Sequence, residues 1–315
     1  MVRWKRFFLL SALLTLLAGE ACADGPALRS PNWLFILQDA DIQKIAGSAF
    51  SLVVMDATRD GTDETQYPEQ EIQNLRSNGI IPICYLSIGE AEDYRFYWEA
   101  DWWRRPPAWL GRANPEWPDN YKVRYWERDW QAIVFSCLDR ILDQGFAGVY
   151  LDIVDAFEHW SDPQNGESFH LPEEVAARRM IAFVETIAHT CREEKARPYF
   201  YIVPQNGERL LEFDDDGSYL ATISGIGAED LWYDGVTPQP SEETTCRLGY
   251  LSRVATAGKP VFSVDYVDDG SGYADANRVR IEDYWAKATA AGFIPYAASV
   301  DRSLDCIVRI PGLQP

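Results

Sequence analysis

The sequence predicts an α/β protein built as a (β/α)8 TIM barrel, a single domain with a long Trp-rich insertion after its third strand. Three observations predict it. Short apolar runs alternate with helical patterns eight times from Trp33 onward, the form of repeated βα units around a parallel sheet. Gly148-Val149-Tyr150-Leu151-Asp152 is apolar on both faces, as a strand covered on both sides is. Nearly every run also delivers an acid or amide as it ends, where a barrel keeps its chemistry. No phosphate-cradling GxGxxG or GxxxxGKS/T follows any run, which weakens the alternative of an open doubly wound sheet.

The first residues stand apart from this alternation. Arg3, Lys5 and Arg6 make a basic start, Phe7 to Leu17 an apolar core of 11 residues, and Ala21-Cys22-Ala23 a small-residue cleavage site. Residues 1–23 are therefore expected to be a signal peptide and residues 24–315 the barrel domain. The apolar stretch is short for a membrane span, so the protein is expected to be secreted to the periplasm or beyond and to leave the membrane after cleavage.

Strands are predicted near Trp33 to Leu37, Leu52 to Asp56, Ile81 to Tyr85, Gly148 to Asp152, Tyr199 to Val203, Gly225 to Glu229, Val261 to Tyr266 and Phe293 to Ala297. Helices fall between them at Asp41 to Ala46, Pro68 to Ser77, Asp129 to Gln144, Pro172 to Lys195, Glu208 to Phe213, Ser241 to Ala257 and Asn277 to Ala291. Pro68 marks a start, and Gly79, Gly145, Gly258 and Gly292 stand just past ends. The insertion runs from Leu86 to about Arg128. Counting Trp130 at its edge, it holds seven of the 12 tryptophans: Trp98, Trp102, Trp103, Trp109, Trp117, Trp126 and Trp130.

Charge narrows the partners. Removing Arg3, Lys5, Arg6 and Glu20 with the leader leaves 26 basic residues against 48 acidic ones, a net charge of −22. Such a chain is a poor partner for nucleic acid or anionic membrane and a compatible one for a cation. Cys84, Cys137, Cys191, Cys246 and Cys306 remain, an odd and widely spaced set with no CxxC; Cys84 and Cys137 suit buried positions. His159, His170 and His189 show no HExxH spacing, and no GxSxG elbow accompanies Ser87, so neither a metal nor a cofactor is expected.

What remains is carboxylate chemistry. Asp152 ends the fourth predicted strand and Glu229 the sixth, where they can face each other across a barrel mouth. Cleaving an acetal needs one carboxyl to protonate the leaving oxygen and another to attack carbon or activate water. Either acid alone could instead be a cap or a salt-bridge partner; together, on an acid-lined rim, they are the candidate catalytic pair. Candidate substrate-binding residues stand beside them. Asp56, Glu90, Asp155 and Asp265 are further carboxylates for hydroxyl or amino groups, with Asp155 also suited to capping the next turn. Ser87, Gln205 and Asn206 supply polar contacts. Tyr85, Tyr94, Trp232, Tyr233 and Tyr266 can stack on pyranose faces, as can Trp98, Trp126 and Tyr150. Trp102, Trp103 and Trp109 are expected to pack the insertion onto the barrel.

Four ordered motifs also resemble a known family: Tyr85-Leu86-Ser87-Ile88-Gly89-Glu90-Ala91-Glu92-Asp93-Tyr94-Arg95, Gly145 to Asp152, Pro204-Gln205-Asn206-Gly207-Glu208 and Gly225 to Asp230. They are similar to those of the endo-α-1,4-polygalactosaminidase family of glycoside hydrolases, glycoside hydrolase family 114 and its bacterial and archaeal relatives, over about Trp33 to Ile310. The resemblance implies a TIM barrel that hydrolyses α-1,4-linked galactosamine or N-acetylgalactosamine polysaccharide. It carries the acid pair onto Asp152 and Glu229. Analogy with α-glycosidase barrels makes Asp152 the nucleophile and Glu229 the general acid/base of a retaining reaction. A partly deacetylated polymer of this kind is cationic, which gives the acidic rim a purpose. The expected protein is a monomer whose partner is its polysaccharide. Two rivals are a non-catalytic carbohydrate-binding barrel and a hydrolase of another α-linked polysaccharide.

Overall fold

The structure, a computed structural model, describes residues 25–315. The predicted signal peptide at residues 1–23 lies outside the described residues. Eight parallel strands form the barrel: β1 (Leu34–Phe35), β2 (Leu52–Met55), β3 (Ile81–Ser87), β4 (Gly148–Asp152), β5 (Tyr201–Pro204), β6 (Ile226–Glu229), β7 (Val261–Asp268) and β8 (Ile294–Ser299). Ladders join β1 through β5 in chain order and β6 to β7 to β8. The two arcs meet where Gln205 bridges Gly227 and Asn206 N–H donates to Gly227 O at 2.8 Å. Across the opposite seam Trp33 Nε1–H donates to Ile294 O at 2.9 Å.

Alternation along the strands decides what fills the interior. Tyr85 pairs with Tyr150, Ser87 with Asp152, and Val264 with Glu229, so one residue in two points inward. The floor is a plug of rings. Trp33 lies 5.7 Å from Phe35, 6.2 Å from Tyr150, 5.4 Å from Phe262 and 5.8 Å from Tyr296. Gly227 is part of this fit, because a Cβ there would fall 1.7 Å from the Tyr150 hydroxyl. The plug supports the acids above it. Tyr150 is therefore core, not a stacking residue of the mouth.

Helices cover the outside: α1 (Ile42–Ala46), α2 (Glu69–Ser77), α3 (Arg128–Gln144), α4 (Ala156–Ser161), α5 (Glu173–His189), α6 (Ser218–Thr222), α7 (Ser241–Thr256) and α8 (Asp275–Ala290). In α3, Trp130, Val134, Cys137, Leu138 and Ile141 recur at three- and four-residue spacing and are buried. Each such burial stabilises by roughly 1.5–3 kcal/mol. Gly145 ends the helix in the left-handed region at φ 87°, its N–H on Ile141 and Leu142 carbonyls. Cys84, Cys137 and Cys191 are buried thiols, and Cys246 and Cys306 are exposed.

Several predicted helices come out differently. The run predicted from Pro172 to Lys195 is α5 followed by a π turn at Thr190–Glu194, and that from Glu208 to Phe213 is a 3-10 helix at Glu208–Glu212. α4 and α6 span six and five residues, too few turns for a periodicity to show. The insertion contains an antiparallel sheet in which Asn120–Val123 lies between Glu90–Glu92 and Leu110–Ala113.

Candidate active site

Asp152 and Glu229 both end barrel strands with inward side chains. The Tyr85 hydroxyl, from the neighbouring strand β3, donates to Asp152 Oδ2 at 2.6 Å. Glu229 is held from two sides, by Asn206 Nδ2–H on Oε1 at 3.0 Å and the Tyr266 hydroxyl on Oε2 at 3.1 Å. Asn206 also accepts from the Glu229 backbone N–H at 3.1 Å, fixing both ends of the residue. The two acids sense each other. Burial and then the Glu229 charge push the Asp152 carboxyl up to about 8, against the pull of the Tyr85 hydrogen bond. A carboxyl raised this way holds its proton near neutral pH, and acid-assisted attack on an acetal requires one such proton.

Two further rim acids carry the same strain. Asp155 is pushed up to about 7 by burial, Glu158 and Glu229, and Asp230 to about 7 by burial and Glu229 despite its Arg302 partner. Asp155 stands at the N-cap position of α4 but makes no side-chain capping bond. Its carboxyl is thus one more member of an over-charged rim.

Residues that sequence reasoning did not single out complete the frame. Arg247 donates to Glu229 O at 2.9 Å, Asn206 Oδ1 at 3.1 Å and Glu208 Oε1 at 2.5 Å. Arg302 donates to both Asp230 oxygens at 2.9 Å and lies 4.1 Å from the Tyr266 ring centroid. Both sit far along the chain from the acids they serve, so no local motif announces them. Ile153, directly after Asp152, has φ 56°, a rare conformation for a β-branched residue. Gly89 lets that turn close, since a Cβ at Gly89 would come 2.2 Å from Ile153 O.

The structure reassigns several expected substrate contacts. Asp265 points away from the mouth and accepts the backbone N–H groups of Leu231, Trp232 and Tyr233, each at 2.9 Å. Its carboxylate builds the loop after β6. Trp232 and Tyr233 follow that loop outward: Trp232 packs on Tyr284 and Phe293, and the Tyr233 hydroxyl donates to Asp283 of α8 at 2.5 Å. Asp56 is buried in a fork with Arg95, at 2.6 and 2.9 Å, and also takes Thr58. Arg95 bonds Glu92 in turn, so Asp56 ties the insertion to β2. Tyr94 is exposed, with its hydroxyl on Glu92 at 2.6 Å. Glu90 is fully buried and receives Asn114 Nδ2 at 3.0 Å, Asn120 Nδ2 at 3.2 Å and Lys122 Nζ. Ser87 bonds the Glu90 backbone. The carboxylates and hydroxyls among them already have protein partners, so these residues build the frame around the site. Gln205 differs: it is buried between the strands of the two acids, and its Oε1 has no partner.

Coupled carboxylates at the carboxyl ends of β4 and β6, above a packed floor, are the architecture of a glycoside hydrolase. The model of glycoside-hydrolase family GH114 matches residues 19–313, and the chain belongs to that family. An uncharacterized protein of Methanocaldococcus jannaschii is 50% identical over 273 residues, covering 87% of this chain and 77% of the relative. An uncharacterized protein of Thermotoga maritima is 45% identical over 308 residues, covering 98% and 91%. Among solved structures, the glycoside hydrolase domain of PelA from Pseudomonas aeruginosa superimposes with TM-score 0.63 at 16% identity, covering 88% of this chain and 97% of that one. Aspergillus fumigatus Ega3 in complex with galactosamine gives 0.64 at 19%, covering 88% and 93%. At those identities the two structures support the barrel fold.

Proposed function

We propose that this glycoside hydrolase cleaves α-1,4-linked galactosamine-containing polysaccharide by a retaining mechanism, with Asp152 as nucleophile and Glu229 as general acid/base. One observation carries the substrate class: Asp152, Asp155 and Asp230 are all pushed to about 7 or 8 at one rim, with the Glu229 charge contributing to each. A positive charge relieves that repulsion, and the free amine of galactosamine supplies one. The co-crystallised galactosamine of the Ega3 structure agrees with this reading.

In the proposed cycle, the arriving ammonium group lowers Asp152, whose proton passes to Glu229, and Asp152 is left ionised for attack on the anomeric carbon. Glu229, oriented by Asn206 and Tyr266, protonates the departing oxygen and then takes a proton from the water that releases the sugar. The reverse assignment is favoured by the raised Asp152 carboxyl alone, which makes Asp152 the natural proton donor of the free enzyme. Azide rescue separates the two. With an activated aryl glycoside, Glu229→Ala is expected to be rescued by azide with retained configuration and Asp152→Ala with inverted configuration; the opposite pattern reverses the roles. Secretion completes the proposal, resting on Arg3, Lys5, Arg6 and the apolar run that follows. Among the described residues no helix is long and apolar enough to cross a membrane.

A further inference from the structure

The Trp-rich insertion is only partly absorbed by this account. Along Asn120–Val123 side chains alternate: Asn120 and Lys122 turn to Glu90, and Tyr121 faces the other side of the sheet. There the Tyr121 ring lies 4.9 Å from Trp98 and 5.4 Å from Trp103, and the two indoles are 5.2 Å apart. From Trp98 the stack continues to Trp102 at 5.1 Å, then Trp109 and Trp130 at 5.0 Å each, so it is braced on α3. Expected to pack the insertion onto the barrel, Trp103 instead packs on Trp98 and Tyr121 of the insertion and stays 57% exposed. A supported and largely uncovered indole is a stacking platform, and covering it would remove apolar area from water.

Charge indicates what covers it. Asp93 and Asp119 stand beside Tyr121, the Asp93 N–H donating to Asp119 O at 3.0 Å. Neither carboxylate has an ion-pair partner among the described residues, and burial, then the Asp119 charge, holds Asp93 above its ordinary range. Exposed Arg104 and Arg105 directly follow Trp103 and Arg112 lies further on, matched by Glu99, Asp101 and Glu116 in the same segment, so Asp93 and Asp119 leave a local acid excess. We propose that Trp103, Tyr121, Asp93 and Asp119 form a second carbohydrate-binding surface, on the side of the insertion sheet opposite Glu90, that holds a cationic amino-sugar chain. The indole stacks on a pyranose face, and the carboxylates pair with ammonium groups along the chain. The proposal rests on the amino-sugar reading of the barrel mouth and adds a polymer-holding site to it.

The test compares full-length chains. Retention on immobilised, partly deacetylated α-1,4-galactosamine polymer is measured in the Glu229→Gln background, which keeps the polymer intact. Turnover of polymer and of a soluble tetrasaccharide is measured without that substitution. Trp103→Ala is expected to weaken retention about fivefold to tenfold and to lower the polymer-to-tetrasaccharide turnover ratio, with Trp103→Tyr restoring most of both. Asp93→Asn with Asp119→Asn is expected to reduce retention of deacetylated polymer more than of fully acetylated polymer, and to flatten its salt dependence. Unchanged retention by Trp103→Ala, or equal losses on polymer and tetrasaccharide, overturns the second surface. If the parent cuts the tetrasaccharide while Trp103→Ala is retained normally, the surface alone fails; if the parent neither cuts nor retains these sugars, the amino-sugar reading fails with it.

Discussion

Tyr85 and Asp152 meet hydroxyl to carboxylate at 2.6 Å, from adjacent strands whose register places Ser87 directly opposite Asp152. That bond pulls the Asp152 carboxyl down while burial and Glu229 push it up. Tyr85→Phe is therefore expected to raise the Asp152 pKa further. A hydrogen bond to a charged group is worth roughly 1.5–3 kcal/mol, so kcat should fall about tenfold to a hundredfold. The alkaline limb of the kcat/KM profile, expected near pH 8 in the parent, should move upward. A limb that stays in place removes the proposed coupling.

The same carboxyl makes stability depend on pH. The folded pKa of about 8 lies above the ordinary value, so between about 4 and 8 the native state binds more protons than the unfolded chain. Its contribution is present at low pH and lost as pH rises toward 8. Asp152→Asn removes that loss. Thermal melts at pH 5 and pH 8 should show the variant gaining on the parent as pH rises, and an equal difference at both would contradict the assignment.

Asp265 is expected to act through the fold. Asp265→Ala strands three buried backbone N–H groups, at a cost of roughly 3 kcal/mol, read as a lower denaturant midpoint. Gln205→Met, close in volume, should instead leave stability almost unchanged or raised, because the buried Oε1 has no partner to lose. If Gln205→Met is as destabilised as Asp265→Ala, the contrast fails.

Gly89 and Ile153 give a third kind of variant. A methyl group at position 89 would run into the Ile153 carbonyl, so Gly89→Ala should displace the turn that carries Asp152 and lower kcat with a smaller effect on KM. Ile153→Gly relieves the left-handed φ but removes a side chain packed on the core, so stability is expected to stay within about 1 kcal/mol of the parent while activity falls. Calorimetry and steady-state kinetics on the two variants separate these effects.

Much of this was legible in the sequence because strand-end acids and apolar runs are local patterns. All eight barrel strands stand where the runs predicted, with Tyr85 bonded to Asp152 and with Asn206 and Tyr266 bonded to Glu229. Pattern alone could not say which way a side chain points once a strand has ended. Asp265 lies within β7, on the face opposite Val264 and Tyr266, and therefore reaches the loop of Trp232 instead of the mouth. Asp56 and Glu90 each follow a strand run in the sequence, but Arg95 and Lys122, which pair with them, arrive from the insertion. Arg247 and Arg302 were invisible for a similar reason: a helix and a terminal loop bring them in from 18 and 72 residues away.

The most direct test of the central claim is the release of reducing ends from purified α-1,4-galactosamine polymer by the parent, Asp152→Asn and Glu229→Gln, each confirmed folded. The expected result is cleavage by the parent and loss of at least about a hundredfold in each variant. Full activity in either variant, or a parent that binds the polymer and leaves it intact, would contradict a catalytic role for this pair.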